Sequence, residues 1–279
     1  PEMSRGLGDV YKRQDWLCSL IIKNYGDLNH KINFVQSLRR SEDYIYKHVL
    51  NVAILSAIIA GQMGFPVGRI NLLVKSAILH DIGALKLQQL PDAEDLDDGT
   101  KEVVKKNTQE TLDRYGDLDE EVLRLITQMQ ELYTRESDAE FPAGLKESVN
   151  ANILYVADAY DRMTAMKSFE EPTSEVKAVR ELLADEERYN KKIVNALIHG
   201  ISILYPGVCV ELSNGEKGLV ITENEDNIFE PIVLDFRNNN LYDLSDPSVK
   251  QTVEIADVMK TMDNRIKLDK SLLEEYQAN

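Results

Sequence analysis

The sequence predicts a mostly α fold, a helical bundle followed by a small antiparallel β unit. Three observations predict it. Apolar residues recur with the 3.6-residue helical period in successive runs up to about Leu204. The period changes to two at Tyr205-Pro206-Gly207, where Val208, Val210 and Leu212 alternate with Cys209 and Glu211. Ser213-Asn214-Gly215 is then a hairpin signal between two such runs.

Length and charge set the frame. The 279 residues, 43% of them hydrophobic, suffice for one large core and a small second unit. Net charge is −16, with 48 acids against 32 bases. That balance argues against nucleic-acid binding through phosphate neutralisation. Cys18 and Cys209 are too few for a disulfide framework, and a cytoplasmic location is expected. No secretory signal is visible. Residues 49–68 carry no charge, but Asn51, Ser56, Gln62, three glycines and Pro66 argue against a membrane span.

Residues 1–14 lack periodicity and read as a non-native leader, so an upstream portion, such as a sensor domain, is expected to be missing. Residues 15–204 read as the helical domain and 205–279 as a β-rich unit with a helical tail. Between Asp15 and Ser41 two short helices flank Asn24-Tyr25-Gly26, with Trp16, Leu17, Leu20 and Ile21 as one stripe. A helix from Tyr44 is expected to bury Val49, Val52, Ala53, Ile59 and Ala60, and to stop at Gly64-Phe65-Pro66. A second, Asn71 to Leu79, buries Leu72, Leu73, Ala77 and Ile78.

The acidic run Leu90 to Gly99 lacks calcium-loop spacing and reads as a solvated loop opening a helix with Val103 and Val104. Val122, Leu125, Ile126, Met129 and Leu132 mark a helix over Glu120 to Tyr133. Further helices are expected over Ala151 to Ala165, Ser174 to Leu183 and Lys191 to Leu204, with His199 near a C-terminus. Strands follow at Leu219 to Thr222 and Pro231 to Phe236, and after Ser248 a strand and then a helix.

His48 and His80 each sit at one end of an apolar run, and Asp158 interrupts another. Two readings stand for the histidines: satisfied core residues, or metal ligands. Asp158 among apolar neighbours is costly to bury unless paired or on a metal.

His48, His80-Asp81 and Asp158, with the phrases LLVKSAILHDIG and ANILYVADAYD, resemble the HD superfamily of metal-dependent phosphohydrolases, and within it the HD-GYP branch. The resemblance spans about Asp43 to Pro231. It implies cyclic di-GMP hydrolysis, with His48, His80, Asp81 and Asp158 at the first metal position. Asp161 would support that site, or form a helix salt bridge with Arg162 or Lys167.

Departures from the family pattern define the expected function. The lysine after the Ile-Gly of the doublet becomes Ala84, with Lys86 two residues on as a candidate catalytic residue beside Asp81. The histidine opening the next helix becomes Asn107, His-His-Glu becomes Met129-Gln130-Glu131, and Gly-Tyr-Pro becomes Glu140-Phe141-Pro142. The second metal position would take ligands at Asn107, Met129 and Gln130, none of which supplies an imidazole. The other two histidines, His30 and His199, lie outside matching segments.

The expectation is a degenerate second metal site in a signalling or binding module with at most one divalent Fe, Mn, Zn or Ni ion and little or no hydrolysis. The alternative is an active phosphohydrolase on cyclic di-GMP, another nucleotide or a phosphate ester. The partner is then a cyclic dinucleotide or other phosphate ester.

Overall fold

A computed structural model describes residues 15–40, 43–87, 98–115, 118–133, 148–167 and 171–259. The leader, the acidic run from Leu90 to Asp97, Glu140-Phe141-Pro142 and the expected C-terminal helix lie outside these residues. Helix α1 covers 15–25, α2 Tyr44–Gln62 and α3 Val67–Leu79, followed by a 3-10 turn at Ile82–Lys86. Then come α4 (Asp98–Tyr115), α5 (Glu120–Tyr133), α6 (Val149–Thr164), α7 (Glu175–Ala184) and α8 (Lys191–Gly200). Contacts divide the chain into a helical unit, through Thr173 with Glu181–Gly200, and a second unit, Ser174–Arg180 with the residues from Ile201.

In the helical unit α2 is central. It packs on α3, α6 and α8, and α5 bridges α3 and α6. Residues 52–60 of α2 are apolar on almost every side and nearly all are buried, as expected of a helix inside a bundle. By length and composition alone α2 could cross a membrane, but more than half of its apolar window is covered by its neighbours. Its C-terminus is closed by a Schellman motif. Phe65 N donates to Ala60 O and Gly64 N to Gly61 O, with Gly64 at φ 70°, where a side chain would strain the backbone. Pro66 then sits at the N-cap of α3.

The 3-10 turn is pressed against α4. A Cβ on Gly83 would lie 2.3 Å from Thr108 N and Val104 O, and Gly83 N donates to Thr108 Oγ1 at 3.0 Å. Only glycine allows that approach.

Two sequence expectations fail before α2. Residues 27–40 form no second helix. Their backbone groups are taken by distant chain instead: Ile32 N donates to Gly200 O, and Arg39 N donates to Met166 O. In α1 the buried face runs through Cys18 and Ile21, while Trp16 is 66% exposed and Leu20 is also exposed. The helix is short and apolar on more than one side, so its pattern does not select the buried face.

The second unit holds a five-stranded antiparallel sheet of order β4-β3-β2-β1-β5. Its strands are β1 (Cys209–Leu212), β2 (Lys217–Thr222), β3 (Ile232–Asp235), β4 (Leu241–Asp243) and β5 (Ile255–Val258). Val210 and Leu212 are buried, as the alternation requires. The β1–β2 hairpin turns at Gly215, φ 81°. A short helix, α9 (Pro247–Lys250), is capped by Asp246, whose carboxylate accepts from Ser248 N at 2.8 Å. Strand β4, absent from the sequence expectation, has three residues and follows Asn239 in the left-handed region, φ 57°.

Candidate metal centre

The helical unit brings His48, His80, Asp81 and Asp158 together. One candidate ligand atom from each lies within 4.8 Å of all the others, and all four residues are buried. His48 stands near the start of α2, His80 follows the last residue of α3, and Asp158 is in the middle of α6. His80 keeps helical dihedrals, but Asp81 leaves them at φ −111°, ψ 19°. The chain therefore turns between the two neighbours, and their side chains converge instead of diverging around a helix.

The hydrogen bonds on the far side of each imidazole determine what it offers the centre. His80 Nδ1 lies 2.6 Å from Ala77 O, which can only accept, so Nδ1 carries the proton. His48 Nδ1 lies 2.8 Å from Asp161 Oδ2, and the same reasoning applies. In the neutral rings both Nε2 atoms then present lone pairs. These face Asp158 Oδ1 at 3.0 Å from His48 and 3.3 Å from His80, and Asp81 Oδ2 at 3.7 Å from each. His48 Nε2 is buried without a hydrogen-bond partner, because its approach to Asp158 is short but misaligned. Lone pairs facing carboxylate oxygens repel unless a metal cation or a second ring proton lies between them. Two imidazole nitrogens and two carboxylates form a donor set that fits a divalent transition metal, with each tautomer fixed from behind.

Asp161 is the anchor behind His48. Arg39 Nη1 donates to its Oδ2 at 2.8 Å and Arg39 Nη2 to its Oδ1 at 2.5 Å, while Gln36 and Asn51 add bonds at 3.0 and 2.9 Å. Of the two sequence readings of Asp161, support of the site or a helix salt bridge with Arg162 or Lys167, the geometry favours the first. Helix geometry offers Arg162 to Asp158, one turn back, and leaves Asp161 facing the segment that carries Arg39. Arg39 and Asp161 are both fully enclosed.

Electrostatics follow from this packing. Burial would raise the Asp158 carboxyl, but the Arg162 guanidinium and the two imidazoles outweigh it and hold it well below the usual range. For Asp81, burial is likewise outweighed by His80 and Arg162, and for Asp161 by His48 and Arg39. Burial would lower His80, but the neighbouring Asp81 and Asp158 charges carry it upward.

Residues 45–163, which contain the whole cluster, match the family model described as HD domain. That stretch is similar to the HD superfamily. It is similar to two curated proteins. One is the cyclic di-GMP phosphodiesterase PA4108 of Pseudomonas aeruginosa, 22% identical over 70% of this chain and 49% of that protein. The other is the cyclic di-GMP phosphodiesterase PdeB of Borreliella burgdorferi, 24% identical over 80% of this chain and 60% of that protein. The chain thus spans about half to three fifths of their lengths. Bd1817, a solved HDG"Y"P protein from Bdellovibrio bacteriovorus, aligns with a TM-score of 0.40 at 20% identity, over 55% of this chain and 51% of its own.

The other singled-out residues lie as follows. Lys86 is turned to α4, where Nζ donates to Asn107 O at 3.3 Å and lies 3.6 Å from Glu110 Oε2. Ala84 is buried beside Ile45 and Val104. Met129 is buried, and Gln130 Nε2 donates to His80 O at 3.1 Å. Asn107 Nδ2 is 3.4 Å from Gly83 O. His30 and His199 are exposed, the latter bonded through Nδ1 to Asn195 O. Sequence reasoning missed Arg39, Gln36 and Asn51. The available signal was a second buried-looking acid, Asp161, which required a cation from elsewhere in the chain.

Proposed function

We propose that this chain is a degenerate HD-GYP module that holds one divalent Fe, Mn, Zn or Ni ion on His48, His80, Asp81 and Asp158. It hydrolyses cyclic di-GMP slowly or not at all, and acts as a signalling or binding module for a cyclic dinucleotide. The helical part, 15–204, carries the site, and the β-rich part, 205–279, accompanies it.

One observation carries this reading: the positions that would serve a second ion are used for packing. Met129 is buried in the core, and Asn107 and Gln130 point their amides at backbone carbonyls of the doublet turn. A neutral amide or thioether binds a hard or borderline cation less strongly than imidazole.

When bound, a divalent ion supplies Lewis acidity, polarising a phosphoryl oxygen and acidifying water. The chain's own residues do the rest. Asp161 and Ala77 O keep both imidazoles in the tautomer whose Nε2 is open. All four side chains are buried, and burial strengthens every charge in the site. Stabilising the developing charge on the leaving oxygen lacks a second cation of the usual kind, and losing such stabilisation costs several kcal/mol of barrier.

A second reading, a one-ion phosphohydrolase for another phosphate ester, is favoured by the enclosed donor set itself. Elemental analysis with turnover assays in excess Mn or Fe separates the two. About one ion per chain with slow or undetectable conversion of cyclic di-GMP is expected. Two ions per chain with rapid conversion would overturn the proposal. Turnover within a panel of other phosphate esters would select the second reading.

A further inference from the structure

A fifth side chain, a charged one, touches the cluster. Arg162 lies on α6 one turn after Asp158, and its side chain is only 14% exposed. Its Nε donates to Asp158 Oδ2 at 2.9 Å, and its Nη2 donates to Asp81 Oδ2 at 2.7 Å. On Asp158 the guanidinium takes one oxygen while both imidazoles face the other. One rigid fork thus ties together the two carboxylates that belong to the donor set.

The charges then follow. Asp161 is matched by Arg39 and drops out. With the imidazoles neutral, as ligation requires, Asp81 and Asp158 against Arg162 leave one net negative charge. A divalent ion turns this into one net positive charge. The guanidinium cannot be discharged at any working pH, so this balance is permanent.

We propose that Arg162 is the built-in second cation of the site: it neutralises carboxylate charge that a second metal would otherwise take, limits the cluster to one ion, and leaves the loaded cluster positive, so that it admits a phosphate anion. This rests on the one-ion reading above. An arginine is a suitable stand-in, because its planar fork matches two carboxylate oxygens and is equally suited to phosphate oxygens.

The test uses the full chain, stripped with chelator and titrated with Mn alone by calorimetry, in wild type, Arg162→Met and Arg162→Gln. Wild type should take one Mn per chain. Both neutral variants should bind Mn roughly tenfold more tightly or better, because a unit charge a few ångströms away no longer opposes the ion. Inorganic phosphate titrated into the Mn-loaded proteins should bind wild type and be lost in both variants. The glutamine variant can still donate hydrogen bonds, so it separates charge from bridging and serves if the methionine variant does not fold.

One Mn per chain throughout, with equal affinities, would overturn the role of Arg162 while leaving the one-ion reading intact. Retained phosphate binding in both variants would do the same. Two Mn per chain in wild type would overturn both.

Discussion

Two regions of this protein bury carboxylates, and they close them differently. In the second unit, Asp235 accepts from Arg237 N at 2.8 Å and from the Tyr242 hydroxyl at 3.3 Å. Asp257 accepts from the Ser174 hydroxyl and pairs with Lys177 at 2.7 Å. Each acid there meets donors, although Asp235 also lies near Glu216. In the helical unit, Asp158 Oδ1 instead meets two imidazole nitrogens whose protons are committed elsewhere, and His48 Nε2 is left without a bond. A buried polar group without a partner costs on the order of 1–3 kcal/mol. Asp158 Oδ1, set between two imidazoles with His48 Nε2 unpaired, is arranged for something that must arrive.

The sharpest way to break that contrast is Asp158→Ala, which removes the oxygen that both imidazoles face. Metal content should fall from about one ion per chain to near zero in protein that still gives a helical circular dichroism spectrum. Equal metal content in mutant and wild type would count against the assignment. Next is Asp161→Ala, which strands Arg39 in a closed interior. A loss of about 3–5 kcal/mol in denaturant unfolding is expected from breaking a buried pair. Metal affinity should drop about 10–100-fold as His48 loses its anchor.

Gly83→Ala should cost about 1–3 kcal/mol, because the new methyl collides with the α4 backbone. It should weaken metal binding as well, since His80 and Asp81 lead directly into that turn. The smallest effect belongs to the other region. Burial pushes the Asp235 carboxyl up, and the nearby Glu216 adds to this. The folded state therefore holds this proton more tightly than the unfolded chain. Its contribution to stability is full below the usual carboxyl value of 3.8 and is lost as pH rises through the folded value. Asp235→Asn should flatten that decline in a series of melting temperatures against pH, with metal content unchanged.

Much of this was legible in the sequence, for reasons that particular residues show. Helix α5 has the bounds that its stripe of Val122, Leu125, Ile126 and Met129 predicts, because its apolar face is narrow and regular. The first hairpin follows from Ser213-Asn214-Gly215. The four clustered residues were reached by resemblance, since His48 and Asp158 are too far apart in the chain for spacing to join them. What surrounds them was not legible. Gln36, Arg39 and Asn51 meet Asp161 across more than a hundred residues. Residues 27–40 carry a local pattern that reads as helix, but their backbone partners lie at Met166 and Gly200. Arg162 could be placed on Asp158 by helical spacing, yet its second contact, Asp81, lies on another element.

The Schellman turn at Gly64 has a consequence far from its own position. It joins α2 to α3, and His48 and His80 lie at the far ends of the two arms, fourteen residues before Gln62 and thirteen after Val67. At 1.5 Å per residue each arm is about 20 Å long. The matched lengths bring the two imidazoles level. The hairpin therefore works as a gauge with its zero set at the glycine. One residue inserted into either arm would lift its histidine by about 1.5 Å and swing it by about 100°, so the centre is as exacting about chain length at a distance as it is about its own four residues.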